Sequence, residues 1–291
     1  MKLRLKPPRR RERARLRFTA DSVDLEPAPR GWTSPKAGNR LASMKGLFRR
    51  ALPRAIRPRR IRGGPLRGVW LVTSWHDYPA GILGRTESPL LDWFSKEVRP
   101  GDTWIDVGAH YGYTAFALTR LVGTGGRVFA FEPVAMTAGC VDQGRLLNRF
   151  DQLTVLPMGL GVANTLELRR LPLTRGMADA TRAGSTHAHV DATFARFDWV
   201  WPLVHGGNDT IHGIKIDVQG MELEVLDGMR DALRHWRPRV VVELHAGVSR
   251  ERVLRLLSDA GYSGEATAID PAYGESAPRL LDDRSYAFNP A

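Results

Sequence analysis

Four short apolar runs in this chain finish in an acid, or in an acid followed by histidine: TWIDVG, RVFAFEP, IKIDV and RVVVELH. Between them lie stretches with helical apolar spacing, so the hydrophobic period switches repeatedly between two and about 3.6. The runs at 103–107, 127–131, 153–157, 211–218 and 239–244 read as strands, and 113–121, 134–148, 221–233 and 250–260 as helices. Strands alternating with helices predict an α/β fold, a Rossmann-like, doubly wound parallel sheet covered on both faces. In such sheets a ligand lies beyond the carboxyl ends of the strands. Buried apolar strands rarely end in charge, so Asp106, Glu132, Asp217 and His245 at four strand ends predict one shared pocket.

The first two of these ends say most about the ligand. In DVGAHYG a strand runs into Gly108, and a helix begins near Tyr113. A residue without a side chain lets backbone approach a ligand closely, and the helix start offers unpaired N–H groups to a negative group. Glu132 closes the next strand, 24 residues beyond Gly108, where a carboxylate accepts both hydroxyls of a ribose. Dinucleotide sites use the same device but carry G-x-G-x-x-G, whereas here Gly108 and Gly112 are four apart. An adenosyl-type ligand is therefore expected, with an NAD-dependent oxidoreductase as the rival.

DVGAHYGYTAFALTRLVGTGGRVFAFEP resembles the opening of a class I S-adenosylmethionine-dependent methyltransferase. With IKIDVQGMELEVLDG and RPRVVVELH the chain is similar to the FkbM-type methyltransferases across 101–263. The resemblance implies a mostly parallel seven-stranded sheet within 101–291, S-adenosyl-L-methionine as cofactor, and O-methylation of a hydroxyl on a small molecule or sugar. It implies that Asp106 and Gly108 cradle the methionine part of the cofactor, with His110 standing where Asn is more usual. By the same likeness Glu132 holds the ribose, Gly159 and Leu160 border the adenine, and Asp217 lies beside the reacting methyl. Gly220, Glu222, Glu243 and His245 also match the family's pattern, whereas Gln219 replaces its usual Glu.

An alcohol nucleophile must lose a proton, and His245 and Asp217 are the candidate catalytic bases; an unperturbed imidazole, pKa roughly 6.5, suits neutrality better. Lys215 is expected to be solvated or paired with Glu243. Asp217 and His245, with Glu222, could ligate Mg²⁺, but the spacing marks no ligand set and no metal is assigned. Nucleic acid is not expected as substrate, because DVQG stands where base-amine methyltransferases carry Pro-Pro-aromatic. A catalytically silent binding protein, with Gln219 as its scar, is the rival from another class.

Residues 1–70 hold 21 of the 43 Lys and Arg but four of the 31 acids, a net of +17 against −5 for the rest. Arg, Pro and Gly dominate 1–64, which is expected to be a disordered basic extension with room for a short helix at 41–52. It suits a solvated tail, a mis-assigned translation start, or an arm docking on RNA or an anionic membrane. Lead-in elements at 65–100 follow, with a strand at 69–73 and a helix at 89–96. Residues 162–210, with short strands at 165–170 and 189–193, carry Met177, His187, His189, Phe194, Phe197, Trp199, Trp201 and His205. They read as a substrate lid or as an insertion with its own small core, and 261–288 as two edge strands. A single cysteine, Cys140, and the lack of a long apolar run or signal sequence suggest a soluble cytoplasmic protein.

Overall fold

A computed structural model describes residues 52–182, 188–205, 210–271 and 280–291. Its first elements lie inside the supposed extension. Strand β1 (Arg57–Arg60) pairs antiparallel with β2 (Trp70–Thr73). The expectation of disorder through 64 is thus corrected for 52–64. Ile61 and Leu66 are buried, and the guanidinium of Arg60 lies 4.3 Å over the Trp70 ring. Aromatic faces let these arginines sit against apolar surface and keep their charge. Residues 1–51, with nearly all of the 41–52 helix, lie outside the described residues.

Helices α1 (Pro79–Leu83) and α2 (Ser88–Glu97) lead into the alternating series. It runs β3 (Thr103–Val107), α3 (Tyr113–Val122), β4 (Arg127–Phe131), α4 (Ala135–Asn148), β5 (Leu153–Leu156) and β6 (Gly159–Gly161). A side unit follows, with β7 (Glu167–Thr174), β8 (Met177–Ala178), β9 (His189–Arg196) and α5 (Phe197–His205). The series resumes with β10 (Gly213–Ile216), α6 (Glu222–Gly228), α7 (Arg230–Trp236), β11 (Arg239–Leu244) and α8 (Arg250–Asp259), and ends with β12 (Thr267–Ala268) and β13 (Arg284–Phe288).

Seven strands form one sheet in the order β12-β13-β11-β10-β3-β4-β5. The five from β11 to β5 are parallel, and β13 and β12 close one edge antiparallel, as the two expected edge strands. Alternate residues feed two cores: Ile105, Val107, Ile214 and Ile216 pack under α5–α8, and Trp104, Val128 and Val241 under α2–α4. Period-two alternation with both faces apolar is what a doubly covered sheet demands. Among the described residues no helix is long and apolar enough to cross a membrane.

Two expected boundaries move. The helix expected over 221–233 is broken into α6 and α7. A Cβ on Gly228 would stand 2.1 Å from the Gly161 carbonyl oxygen, and the Asp198 carboxylate accepts the N–H groups of Asp231 and Ala232, capping α7. The strand expected over 211–218 shortens to β10, leaving Asp217 just past its end.

Within the region 162–210, the described strands β7, β8 and β9 join β6 in a second sheet, ordered β6-β9-β7-β8, and α5 follows β9. Its aromatic set divides. Phe197 and Trp201 stack 5.4 Å apart in the main core, while Phe194 and Met177 reach the cavity described below. His187, and the side chain of His205, fall outside the described residues.

Candidate active site

Strand order reverses between β3 and β10: from β3 the chain moves outward to β4 and β5, then returns to the other side of β3 as β10. Beyond the carboxyl ends at this crossover lies a cavity of about 310 Å³, within the range of small-molecule sites. Its wall follows the sheet edge. Gly159 and Leu160 come from β6, Glu132 from the end of β4, Gly108 and His110 from the end of β3, Lys215 and Asp217 from β10, and Glu243 from β11.

Gly108 has φ 78°, and a Cβ there would stand 1.8 Å from the carbonyl oxygen of Asp217. Only glycine lets the two crossover strands approach so closely, so the chain itself requires this residue before any ligand does. The N–H groups of Gly108 and Ala109 both donate to the Phe131 carbonyl. His110, at φ 49°, donates its backbone N–H to Glu132 Oε2 at 2.8 Å, and its Nε2 lies 3.1 Å from the Arg175 carbonyl. Burial pushes the imidazole pKa down to about 4, so the ring is neutral and its Nε2–H donates to that carbonyl.

Glu132 is 3% exposed, and its Oε1 accepts the N–H of Val134 at 2.9 Å. Each carboxylate oxygen keeps a lone pair for a further donor. Burial raises this carboxyl to about 7 against the two backbone hydrogen bonds that lower it.

Asp106 is placed differently from the expectation. It is fully buried and stands behind the cavity wall rather than in it. Thr114 Oγ1 donates to its Oδ2 at 2.7 Å, and Lys215 Nζ lies 3.1 Å from its Oδ1. Lys215 is neither solvated nor paired with Glu243. It faces Asp106 across neighbouring strands, donates to the Gly108 carbonyl at 3.1 Å, and lies 3.7 Å from Asp217 Oδ2. These carboxylates hold its pKa above the ordinary lysine value, although burial alone would lower it. The lysine thus ties the β3 loop to Asp217.

Asp217 lines the cavity and His245 does not. His245 is 3% exposed; its Nδ1 lies 2.6 Å from Glu222 Oε1 and its Nε2 2.8 Å from the Gln219 amide, which also donates to Asp217 Oδ1 at 3.2 Å. Burial alone would lower the His245 pKa. The Glu222 hydrogen bond and the charges of Asp217, Glu222 and Glu243 outweigh it and raise the pKa to about 9. The expectation of an imidazole poised near neutrality is therefore corrected. Glu243, in the wall, is pushed up to about 8, chiefly by the charge of Asp217 and then by burial.

The sequence reading missed Lys215, Glu243 and Glu87 as cavity residues. For Lys215 a signal existed: a lysine flanked by Ile214 and Ile216 in a strand buried on both faces needs a counter-charge. Glu87 carried none, because it reaches the wall from the loop before α2.

The family model for the methyltransferase FkbM domain matches residues 106–263. Hexuronic acid methyltransferase AglP from Haloferax volcanii is 32% identical over 192 residues, which cover 64% of this chain and 74% of that protein. Among solved structures, methyltransferase FkbM from Methylobacillus flagellatus has a TM-score of 0.44 at 18% identity, covering 68% of this chain and 50% of its own. A SAM-dependent O-methyltransferase from Thermotoga maritima has a TM-score of 0.43 at 14% identity, covering 76% and 73%. The domain match and the AglP likeness set aside the oxidoreductase rival, and the chain belongs to the FkbM family of S-adenosylmethionine-dependent methyltransferases.

Proposed function

We propose that this chain methylates a hydroxyl oxygen of a small sugar acceptor, with hexuronic acids and their glycosides the first class to test. The observation that carries this reading is the place of Asp217. Its carboxylate stands in the cavity wall one strand from Gly108 and two from Glu132, about 10 Å from the latter at ~4.8 Å per strand. Gly108, His110, Glu132, Gly159 and Leu160 form the cofactor side of the cavity, and Asp217, Gln219 and Glu243 the acceptor side. Asp106 acts through Lys215 rather than by touching ligand. The relative's name supplies the acceptor class. A cytoplasmic location belongs to the same reading, supported by the single buried Cys140. Docking on RNA or membrane by the basic leader concerns residues outside the described ones.

The residues fit the cofactor. Glu132 keeps lone pairs for ribose hydroxyls, and Glu87, Asp217 and Glu243 give the cavity a carboxylate lining suited to a cationic ligand. When bound, S-adenosylmethionine supplies an electrophilic methyl on a sulfonium sulfur. The protein then holds the acceptor oxygen in line, which is worth up to about 7–11 kcal/mol of barrier. Asp217 accepts the hydroxyl hydrogen and orients the oxygen's lone pair. Lys215 and Gln219 fix that carboxylate from either side.

The test is transfer from labelled S-adenosylmethionine to uronic acid glycosides, with neutral glycosides alongside. A labelled product that survives mild alkali, as an ether does, is expected. Label released by alkali would place the methyl on a carboxylate and overturn the hydroxyl assignment. Binding of S-adenosylhomocysteine without transfer to any acceptor would favour the silent binding protein.

Cofactor binding should also depend on pH. With Glu132 raised to about 7, the free protein carries its neutral carboxyl below that pH, and ribose hydroxyls must displace the proton. Affinity for S-adenosylhomocysteine is expected to fall about tenfold per unit below pH 7 and to level off above it. Calorimetric titration across this range, repeated with Glu132→Gln, checks it; an unchanged slope in the variant would assign the proton elsewhere.

A further inference from the structure

One corner of the acceptor side gathers more ligand-type atoms than the proton acceptor Asp217 alone requires. Asp217, Glu243 and His245 each offer one ligand atom, all within 4.8 Å of one another. His245 Nε2 stands 3.6 Å from Asp217 Oδ1 and 3.6 Å from Glu243 Oε1. Both separations are too long for direct hydrogen bonds. They match donors sharing one ion, since ligands about 2.1 Å from a small divalent cation lie about 3–4 Å apart. The Gln219 carboxamide, 2.8 Å from the same nitrogen and 3.2 Å from Asp217 Oδ1, offers a fourth donor. A half-turn of its amide presents the carbonyl oxygen instead of the N–H.

Two independent features point the same way. The far nitrogen of the ring, Nδ1, is held by the fully buried Glu222 at 2.6 Å. A carboxylate there favours the tautomer whose Nε2 lone pair faces Gln219, Asp217 and Glu243, the usual support for a metal-binding imidazole. The second feature is charge. Asp217, Glu222 and Glu243 surround one imidazole, while Lys215, the nearby cation, divides between Asp106 at 3.1 Å and Asp217 Oδ2 at 3.7 Å. Glu222 Oε2 is buried without a hydrogen-bond partner, while Oε1 takes both His245 Nδ1 and the Gly220 N–H. Carboxylates collected in this way favour a cation among them, and a proton or a metal ion can supply it.

We propose that Asp217, Glu243 and His245, with the carboxamide oxygen of Gln219, bind a divalent cation of the Mn²⁺ or Mg²⁺ type at the acceptor edge of the cavity, and that Glu222 orients His245 for it. Three oxygen donors beside one imidazole place the set with the oxygen-preferring divalent ions, of which Mn²⁺ also accepts a nitrogen ligand. Asp217, Gln219 and Glu243 line the cavity, so the ion's remaining positions open toward it and can take adjacent oxygens of a polyhydroxylated acceptor. That last role rests on the proposed acceptor class; the site itself does not. The set differs from the one weighed on sequence grounds, because Glu243 replaces Glu222 as ligand.

The test is Mn²⁺ titration of the full chain after EDTA treatment and desalting, following the free-ion signal by electron paramagnetic resonance. One bound Mn²⁺ per chain is expected. Glu243→Gln, at a partly exposed position, should weaken binding by about 100-fold, and Glu222→Gln by about 10–100-fold. Both should keep the wild-type far-ultraviolet circular dichroism; if Glu222→Gln does not fold, Glu243→Gln decides. A proton on His245 Nε2 is the competing occupant of this space. Mn²⁺ that stays free throughout the titration, or binding that Glu243→Gln leaves unchanged, would overturn the site. Neither result touches the methyl-transfer reading, which is scored by transfer of label.

Discussion

Lys215→Met is expected to lower the unfolding free energy by about 3–5 kcal/mol, more than any surface lysine contributes. Lys215 is 4% exposed and Asp106 is fully buried, and their charged ends meet at 3.1 Å across neighbouring parallel strands. Methionine fills a similar volume, so little is lost in packing. What remains is a buried carboxylate with only the Thr114 hydroxyl as donor. The Gly108 carbonyl loses its donor as well, and that loop forms the floor of the cofactor side. Urea unfolding with an unchanged m-value would report the loss as a shifted midpoint. The double variant Asp106→Asn with Lys215→Met should recover part of it, because removing both charges removes the orphan. A loss below about 1 kcal/mol in the single variant would mean that water reaches Asp106 and that the lysine is not its counter-charge.

The same strand shows what sequence reasoning could and could not see. The alternation of apolar runs with helical stretches carried the fold, because a sheet buried on both faces leaves no other pattern for β3, β4, β10 and β11. The acids at strand ends carried the site's position, since a crossover crevice collects whatever those ends bear. Depth was not legible. Asp106 and Asp217 look alike as acids at the ends of apolar strands, yet Asp106 lies within β3 and faces the core, while Asp217 lies past β10 and faces the cavity. A two-residue difference in where each strand stops relative to its acid decides it, and strand ends are the least certain part of any sequence reading. The identity of Gly108's neighbour was hidden for a related reason. A close approach to Asp217 is set by sheet order, which links residues 109 apart in sequence. The β1 strand was masked by composition, because Ile61 and Leu66 are outnumbered by arginines whose aromatic partners lie in Trp70 and Trp75.

The contest between Asp217 and His245 yields the second large effect: Asp217→Asn should reduce kcat by about 10²–10⁴-fold while leaving S-adenosylhomocysteine affinity within a few-fold. Asparagine keeps the shape and a hydrogen-bonding oxygen, and Lys215 retains Asp106 as its partner, so the fold should tolerate the change. What disappears is the one anionic oxygen of the pair that reaches the cavity. His245 lies behind Gln219, with Nδ1 held by Glu222 and Nε2 against the Gln219 amide, so neither ring nitrogen reaches an acceptor in the cavity. Its contribution runs through Gln219, whose amide it fixes and which in turn holds Asp217 Oδ1. His245→Gln should therefore cost less in kcat, and Gln219→Ala about as much as His245→Gln, because both loosen the same carboxylate. Single-turnover rates measured with saturating cofactor separate the chemical step from binding. If His245→Gln abolishes transfer while Asp217→Asn stays within tenfold of wild type, the proton goes to the imidazole, and Gln219 must swing aside during turnover to expose it.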